Sequence, residues 1–142
     1  MTPLDLTKAP PRPPQTELRE LCMLPRMIDI ARAMLPGGTV GEYQIGRGVS
    51  GAVFSALGVS VAEFVRIVGE ASSEDDVAQR LWSVRTVPAV ALSRRLRSIT
   101  VADVPDDLRP EFERFYGSDH PPDRLVFEIL EADDARAFRK KA

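Results

Sequence analysis

Apolar residues recur along most of this chain at three- and four-residue spacing, the period of a helix that buries one face. Val61, Phe64, Val65 and Val68 share such a face, and the Ser60-Val61-Ala62-Glu63 sequence before them reads as a capping box. Ser73 caps the next run. Its first turn, Glu74, Asp75 and Asp76, sets carboxylates at the positive end of the helix dipole, and Val77, Ala78, Leu81 and Trp82 form its stripe. Pro88 opens a helix with Ala89, Leu92, Leu96 and Ile99 inward. Another is expected from Asp106-Asp107 to Gly117, burying Leu108, Phe112, Phe115 and Tyr116. Pro121 and Pro122 are read as starting a helix that buries Leu125, Val126, Ile129 and Leu130. The pattern stays helical over residues 132–138, with Arg139, Lys140 and Lys141 complementing its negative end.

The upstream half is less regular. Residues 49–57 are apolar at helical spacing, and Gly58 ends them. Residues 16–35 are rich in Leu, Met, Ile and Ala, but Pro25 interrupts them. The reading is a short helix over residues 17–23 and a longer one from Pro25, ending before Pro36-Gly37-Gly38. Residues 40–45 allow one extended piece without a clear strand partner. Five of the twelve prolines fall in the first fourteen residues, which rules out helix there and predicts an extended, partly polyproline arm. Its Lys8-Ala9-Pro10-Pro11-Arg12-Pro13-Pro14 stretch fits a ligand for a proline-binding domain. An arm lying on its own domain is the favoured alternative. The expected architecture is all-α: one compact domain of about seven short helices over residues 16–142, with a proline-rich N-terminal arm over residues 1–15.

Composition narrows the function classes. With 142 residues, 44% of them hydrophobic, and a net charge of -2, the chain suits one modest core rather than a disordered segment. Cys22 is the only cysteine and His120 the only histidine, so neither a disulfide framework nor a Cys/His zinc cluster is expected, and no cofactor is implied. No apolar run approaches the roughly 18 residues of a membrane span, and the first residues do not form a leader's apolar stretch. A soluble, cytoplasmic domain is the expectation.

Gly46-Arg47-Gly48-Val49-Ser50-Gly51 matches G-x-G-x-x-G, and Ala52-Val53 extends it to the phosphate-loop pattern of protein kinases. A kinase needs a lysine on the next strand, yet the only lysines are Lys8, Lys140 and Lys141. A dinucleotide fold needs a strand before the loop and an acid ending the next strand; Glu70 follows a helical run instead. The loop is read as a flexible turn into a helix. Ser118-Asp119-His120 holds triad residue types, but triad members converge in space rather than sit side by side, so a turn is the reading. Asp106-Asp107 and Asp133-Asp134 are read as solvated helix starts.

Between Leu21 and Gly41 the only charged residues are Arg26, Asp29 and Arg32, three apart on an otherwise apolar helix. That spacing puts them on one face, with Asp29 in reach of both arginines. Glu42 and Tyr43 follow after the turn. Because arginine forks grip carboxylates and phosphates bidentately, these five residues are candidates for an anionic-ligand pocket. A structural ion-pair network tying the helix to Glu42 or to the arm is the favoured alternative, because such networks perturb charges as readily as sites do. Charge is also uneven along the chain. Residues 80–99 carry five arginines and no acid, whereas from residue 100 onward eleven acids outnumber seven bases. Arg94, Arg95 and Arg97 are thus candidates for binding an acidic partner, with internal pairing to the acidic C-terminal helices, or a homo-oligomer contact, the favoured alternative. Nucleic acid is disfavoured by the negative net charge and the lack of interleaved aromatics.

Several stretches together resemble a known family. They are Asp5-Leu6-Thr7-Lys8 with the proline run, Leu24-Pro25-Arg26-Met27-Ile28-Asp29, Ala31-Arg32-Ala33, Gly41-Glu42-Tyr43 and residues 54–58. The family is the uncharacterised bacterial domain of unknown function 5069. The resemblance implies a small, mainly helical bacterial domain, implies no activity, and groups Arg26, Asp29, Arg32, Glu42 and Tyr43 as a unit. Ile30, where relatives often carry lysine, and the glycine cluster depart from the family pattern. Two functions remain in view: a non-enzymatic interaction or regulatory module using the arm and the Arg94–Arg97 patch, and a binder of an anionic metabolite, or an enzyme, using the Arg26 cluster.

Overall fold

In the computed structural model, which describes residues 1–139, nine of the ten residues of helix α1 (Leu24–Ala33) are buried. A helix buried on nearly all sides lies inside a domain rather than on it, and the rest of the chain wraps this one. In order, the elements are strands β1 (Glu17–Leu18) and β2 (Leu21–Cys22), α1, α2 (Gly48–Leu57), α3 (Val61–Glu70), α4 (Glu74–Ser83), α5 (Ala89–Arg97), a 3-10 turn at Val101–Asp103, α6 (Arg109–Tyr116) and α7 (Val126–Arg139). The protein is a mostly helical single domain. Lys140 and Lys141, read above as complementing the negative end of the last helix, lie outside the described residues.

Helices α2 to α5 follow their local signals. Gly58 closes α2 with a positive φ of 67°, the left-handed cap that glycine adopts without strain. Ser60 and Ser73 each accept a hydrogen bond from the backbone N–H three residues on, at 3.1 Å, capping α3 and α4. Phe64, Val68, Val77, Leu81, Leu92 and Leu96 point into one core together with Leu21, Leu24, Met27 and Ile28. Phe54 of α2 meets Phe64 of α3 edge to face, centroids 5.3 Å apart. No single helix among the described residues is long and apolar enough to cross a membrane.

Four elements differ from the sequence reading. Residues 17–23 form a hairpin, not a helix: Glu17 pairs with Cys22 and Leu18 with Leu21, around a two-residue turn at Arg19 and Glu20. Helix formers fill this segment, but tertiary partners override propensity. Ser93 of α5 donates to the Glu20 carbonyl at 2.7 Å and accepts from the Cys22 N–H at 2.9 Å. Both turn residues have positive φ, 49° and 67°, as a type I′ turn demands. Arg19→Asn combined with Glu20→Gly is therefore expected to stabilise the fold by about 0.5–1 kcal/mol, read as a higher urea midpoint. Second, the extended piece is only a bridge at Thr39, paired in parallel with Asp5. Third, α6 begins at Arg109 rather than Asp106, has no fully buried residue, and turns Phe115 outward at 44% exposure. Fourth, Pro121 and Pro122 precede a turn, and one helix then runs from Val126 to Arg139.

Residues 1–15 lie against α1. Leu4 N–H donates to the Arg32 carbonyl, and Thr39 N–H to that of Leu4. Leu6 and Pro11 are buried.

Candidate functional site

Two buried charges sit on α1, and each has found a partner outside its own helix. Arg26 is 5% exposed. Its guanidinium grips Asp134 of α7 through Nη1–Oδ2 at 2.6 Å and Nη2–Oδ1 at 3.2 Å, the fork-on-carboxylate geometry that fixes direction as well as distance. The Tyr43 hydroxyl donates to the same Oδ1 at 2.9 Å, and the Arg26 guanidinium lies 5.6 Å from the Tyr43 ring centroid. Burial raises the Tyr43 pKa above the usual phenol range, and the Asp134 charge and hydrogen bond add to this, against the opposing pull of Arg26. Asp134 is thus a buried mid-helix carboxylate, not the solvated helix start read from Asp133-Asp134. Adjacent helical residues diverge in direction, so Asp133 turns outward and pairs with Arg136.

Asp29 binds neither neighbouring arginine of its helix. Instead it accepts three hydrogen bonds from Arg12: from the backbone N–H at 2.8 Å, from Nε at 3.0 Å and from Nη2 at 3.0 Å. Arg12 also pairs with Glu74 in the first turn of α4. Burial alone would lower the Arg12 pKa; hydrogen bonds and charges from Asp29 and Glu74 outweigh it and raise the pKa beyond the ordinary arginine range. Arg32 is spent on Thr2, its Nε and Nη2 donating to the carbonyl and hydroxyl oxygens at 2.8 Å. Glu42 is exposed and, among the described residues, joins none of these pairs. The structure therefore brings Arg26 and Tyr43 together, sets Asp29 one turn away on a separate partner, and leaves Arg32 and Glu42 apart.

Two residues that hold this network, Arg12 and Asp134, were not singled out as site residues by the sequence. The usable signal was the burial requirement itself: charges on a helix that is otherwise apolar must, where they are buried, be met from elsewhere.

The glycine loop is a turn. Gly46 and Gly48 take positive φ of 103° and 61°. The Ser50 hydroxyl accepts from Gly46 N–H and donates to the Arg47 carbonyl, both at 2.9 Å, closing the turn on itself. The element before it in the chain is helix α1, not a strand. In the Ser118-Asp119-His120 stretch, His120 Nε2 bonds the Tyr116 carbonyl at 2.6 Å, behind the end of α6.

The α5 arginines divide. Arg97 is tied to the hairpin, pairing with Glu17 and donating from Nε to Gln15 Oε1 at 3.1 Å. Arg94 and Arg95 are exposed, and neither side chain has an ion pair or hydrogen bond among the described residues. Beside them on the outer face lies Val90, half exposed, and Val84 in the preceding loop is 74% exposed.

Compared with curated proteins, the chain matches none. It does match the domain of unknown function DUF5069 over residues 8–136. That span takes in the Arg12, Arg26, Asp29 and Asp134 network and the α5 face alike, and on it the chain belongs to the DUF5069 family.

Proposed function

We propose that this chain is a non-enzymatic interaction or regulatory module that seats an acidic, partly apolar segment of a protein partner on the outer face of α5. One observation carries the reading. Arg94 and Arg95 stand exposed beside Val90 without an acid of their own among the described residues, whereas the other candidate arginines are engaged internally. Arginines next to exposed aliphatic side chains suit a partner that offers carboxylates and apolar groups together. Residues 1–15, which we assign as a proline-rich arm, serve the fold in this reading: Leu6 and Pro11 are buried and Arg12 holds Asp29, so the P-x-x-P stretch is occupied rather than offered. The anionic-metabolite reading at Arg26, Asp29, Arg32, Glu42 and Tyr43 has less support, because the Arg26 and Arg32 forks are already filled.

Charge reversal tests the proposal. Arg94→Glu with Arg95→Glu changes only exposed side chains, so the folding stability should stay within about 0.5 kcal/mol of the parent. Parent and variant are purified side by side at low salt from the cells that make the protein. A stoichiometric acidic protein should accompany the parent, leave as salt rises, and be missing from the variant. The same companion on both proteins, or none on either, overturns the assignment.

A further inference from the structure

A second feature lies away from α5. The end of α6 and the outer face of α7 enclose an open groove of about 230 Å³. Tyr116 and His120 form one wall. Ile129, Ala132, Asp133 and Arg136 form the other and recur at helical spacing, so one stripe of α7 faces the space. Arg139 stands at its end.

The lining has unspent donors. Arg136 Nη2 bonds Asp133 Oδ1 at 2.5 Å, which neutralises that carboxylate and leaves part of the guanidinium free. Arg139 has no ion pair among the described residues, and the Tyr116 hydroxyl has no hydrogen-bond partner there. Burial keeps that phenol protonated above its ordinary pKa, with Asp133 and Asp134 adding to the effect and Arg26 opposing it. A carbonyl only accepts, so His120 Nε2 carries the hydrogen in its bond to Tyr116, and Nδ1 is the ring's remaining polar atom. Among the described residues, the acid and the arginines of the lining, Asp133, Arg136 and Arg139, sum to a single positive charge.

We propose that this groove binds a small organic monocarboxylate with a short apolar body. Arg139 and the Tyr116 hydroxyl donate to the carboxylate, and Ile129 and Ala132 take the body. One net positive charge matches a monoanion better than a phosphate dianion. The volume lies below the roughly 300–1,000 Å³ of drug-sized sites, so the occupant is small.

The chain has one histidine, so the His120 ring protons are an unambiguous reporter of the groove in an NMR titration. Acetate, butyrate and inorganic phosphate are titrated at constant ionic strength. Butyrate should shift the His120 and Tyr116 ring signals saturably, and bind about tenfold tighter than acetate through its extra methylenes. Arg139→Ala, a change at an exposed side chain, should weaken butyrate about tenfold, and Arg94→Ala should leave it unchanged. Shifts that stay linear and equal for all three anions overturn the site. So does phosphate binding as tight as butyrate, or an Arg139→Ala variant that binds like the parent.

Discussion

Arg26→Ala will destabilise the fold by roughly 3–5 kcal/mol, the cost of leaving a buried carboxylate without its counter-charge. Asp134 keeps only the Tyr43 hydroxyl in that variant, and it sits 7% exposed between α1 and α7. The loss should appear as a fall in the urea midpoint with little change in slope. Much of it comes from the stranded charge rather than from the attraction of the pair. Arg26→Met combined with Asp134→Leu should therefore recover most of the loss, because apolar replacement of both partners is often neutral or better. Arg26→Lys keeps the charge but loses the two-pronged grip at 2.6 and 3.2 Å, and should fall between parent and Arg26→Ala. If Arg26→Ala costs under about 1 kcal/mol, the Arg26–Asp134 pair is not what fastens α7 to α1.

Asp29→Ala should have the second largest effect, about 2–3 kcal/mol, and it acts on another part of the molecule. Asp29 is the common acceptor for the backbone and side chain of Arg12, so its loss loosens residues 1–15 rather than α7. The Arg12 amide offers a clean readout. Its neighbours Pro10, Pro11, Pro13 and Pro14 carry no N–H, and its own N–H lies 2.8 Å from Asp29 Oδ2. Hydrogen exchange at this amide should quicken by at least about tenfold in Asp29→Ala. Glu74→Ala removes the half-exposed second partner of Arg12 and should cost under about 1 kcal/mol, with the Arg12 amide still protected. An unprotected Arg12 amide in the parent protein would refute the contact.

How legible each feature was depends on the range of the interaction behind it. The caps at Ser60 and Ser73 and the glycine stop at Gly58 rest on bonds within four residues, so the chain announces them locally. The apolar stripes of α3, α4 and α5 likewise fall where the spacing puts them, and the helical fold class follows from their number. The Arg26, Asp29 and Arg32 spacing offered either a ligand pocket or an ion-pair network on α1; the partners that Asp29 and Arg26 take, Arg12 and Asp134, were named in neither reading.

The hairpin at residues 17–22 was hidden because its stabilising partner, Ser93, lies more than 70 residues away. Phe115 keeps helical spacing yet faces outward, since α6 covers the core edge and buries none of its residues fully. By itself the sequence determined where most helices begin and end, that one apolar helix carries three charges, and that residues 80–99 are basic. Only the tertiary structure decided that Arg26 meets Asp134, 108 residues on, that Asp29 takes Arg12, and that Arg94 and Arg95 remain outward while Arg97 does not. Helix signals are local torsional and capping preferences. The partner of a buried charge is set by which surfaces pack together, because a carboxylate removed from water must be met by whatever donor the fold brings within about 3 Å.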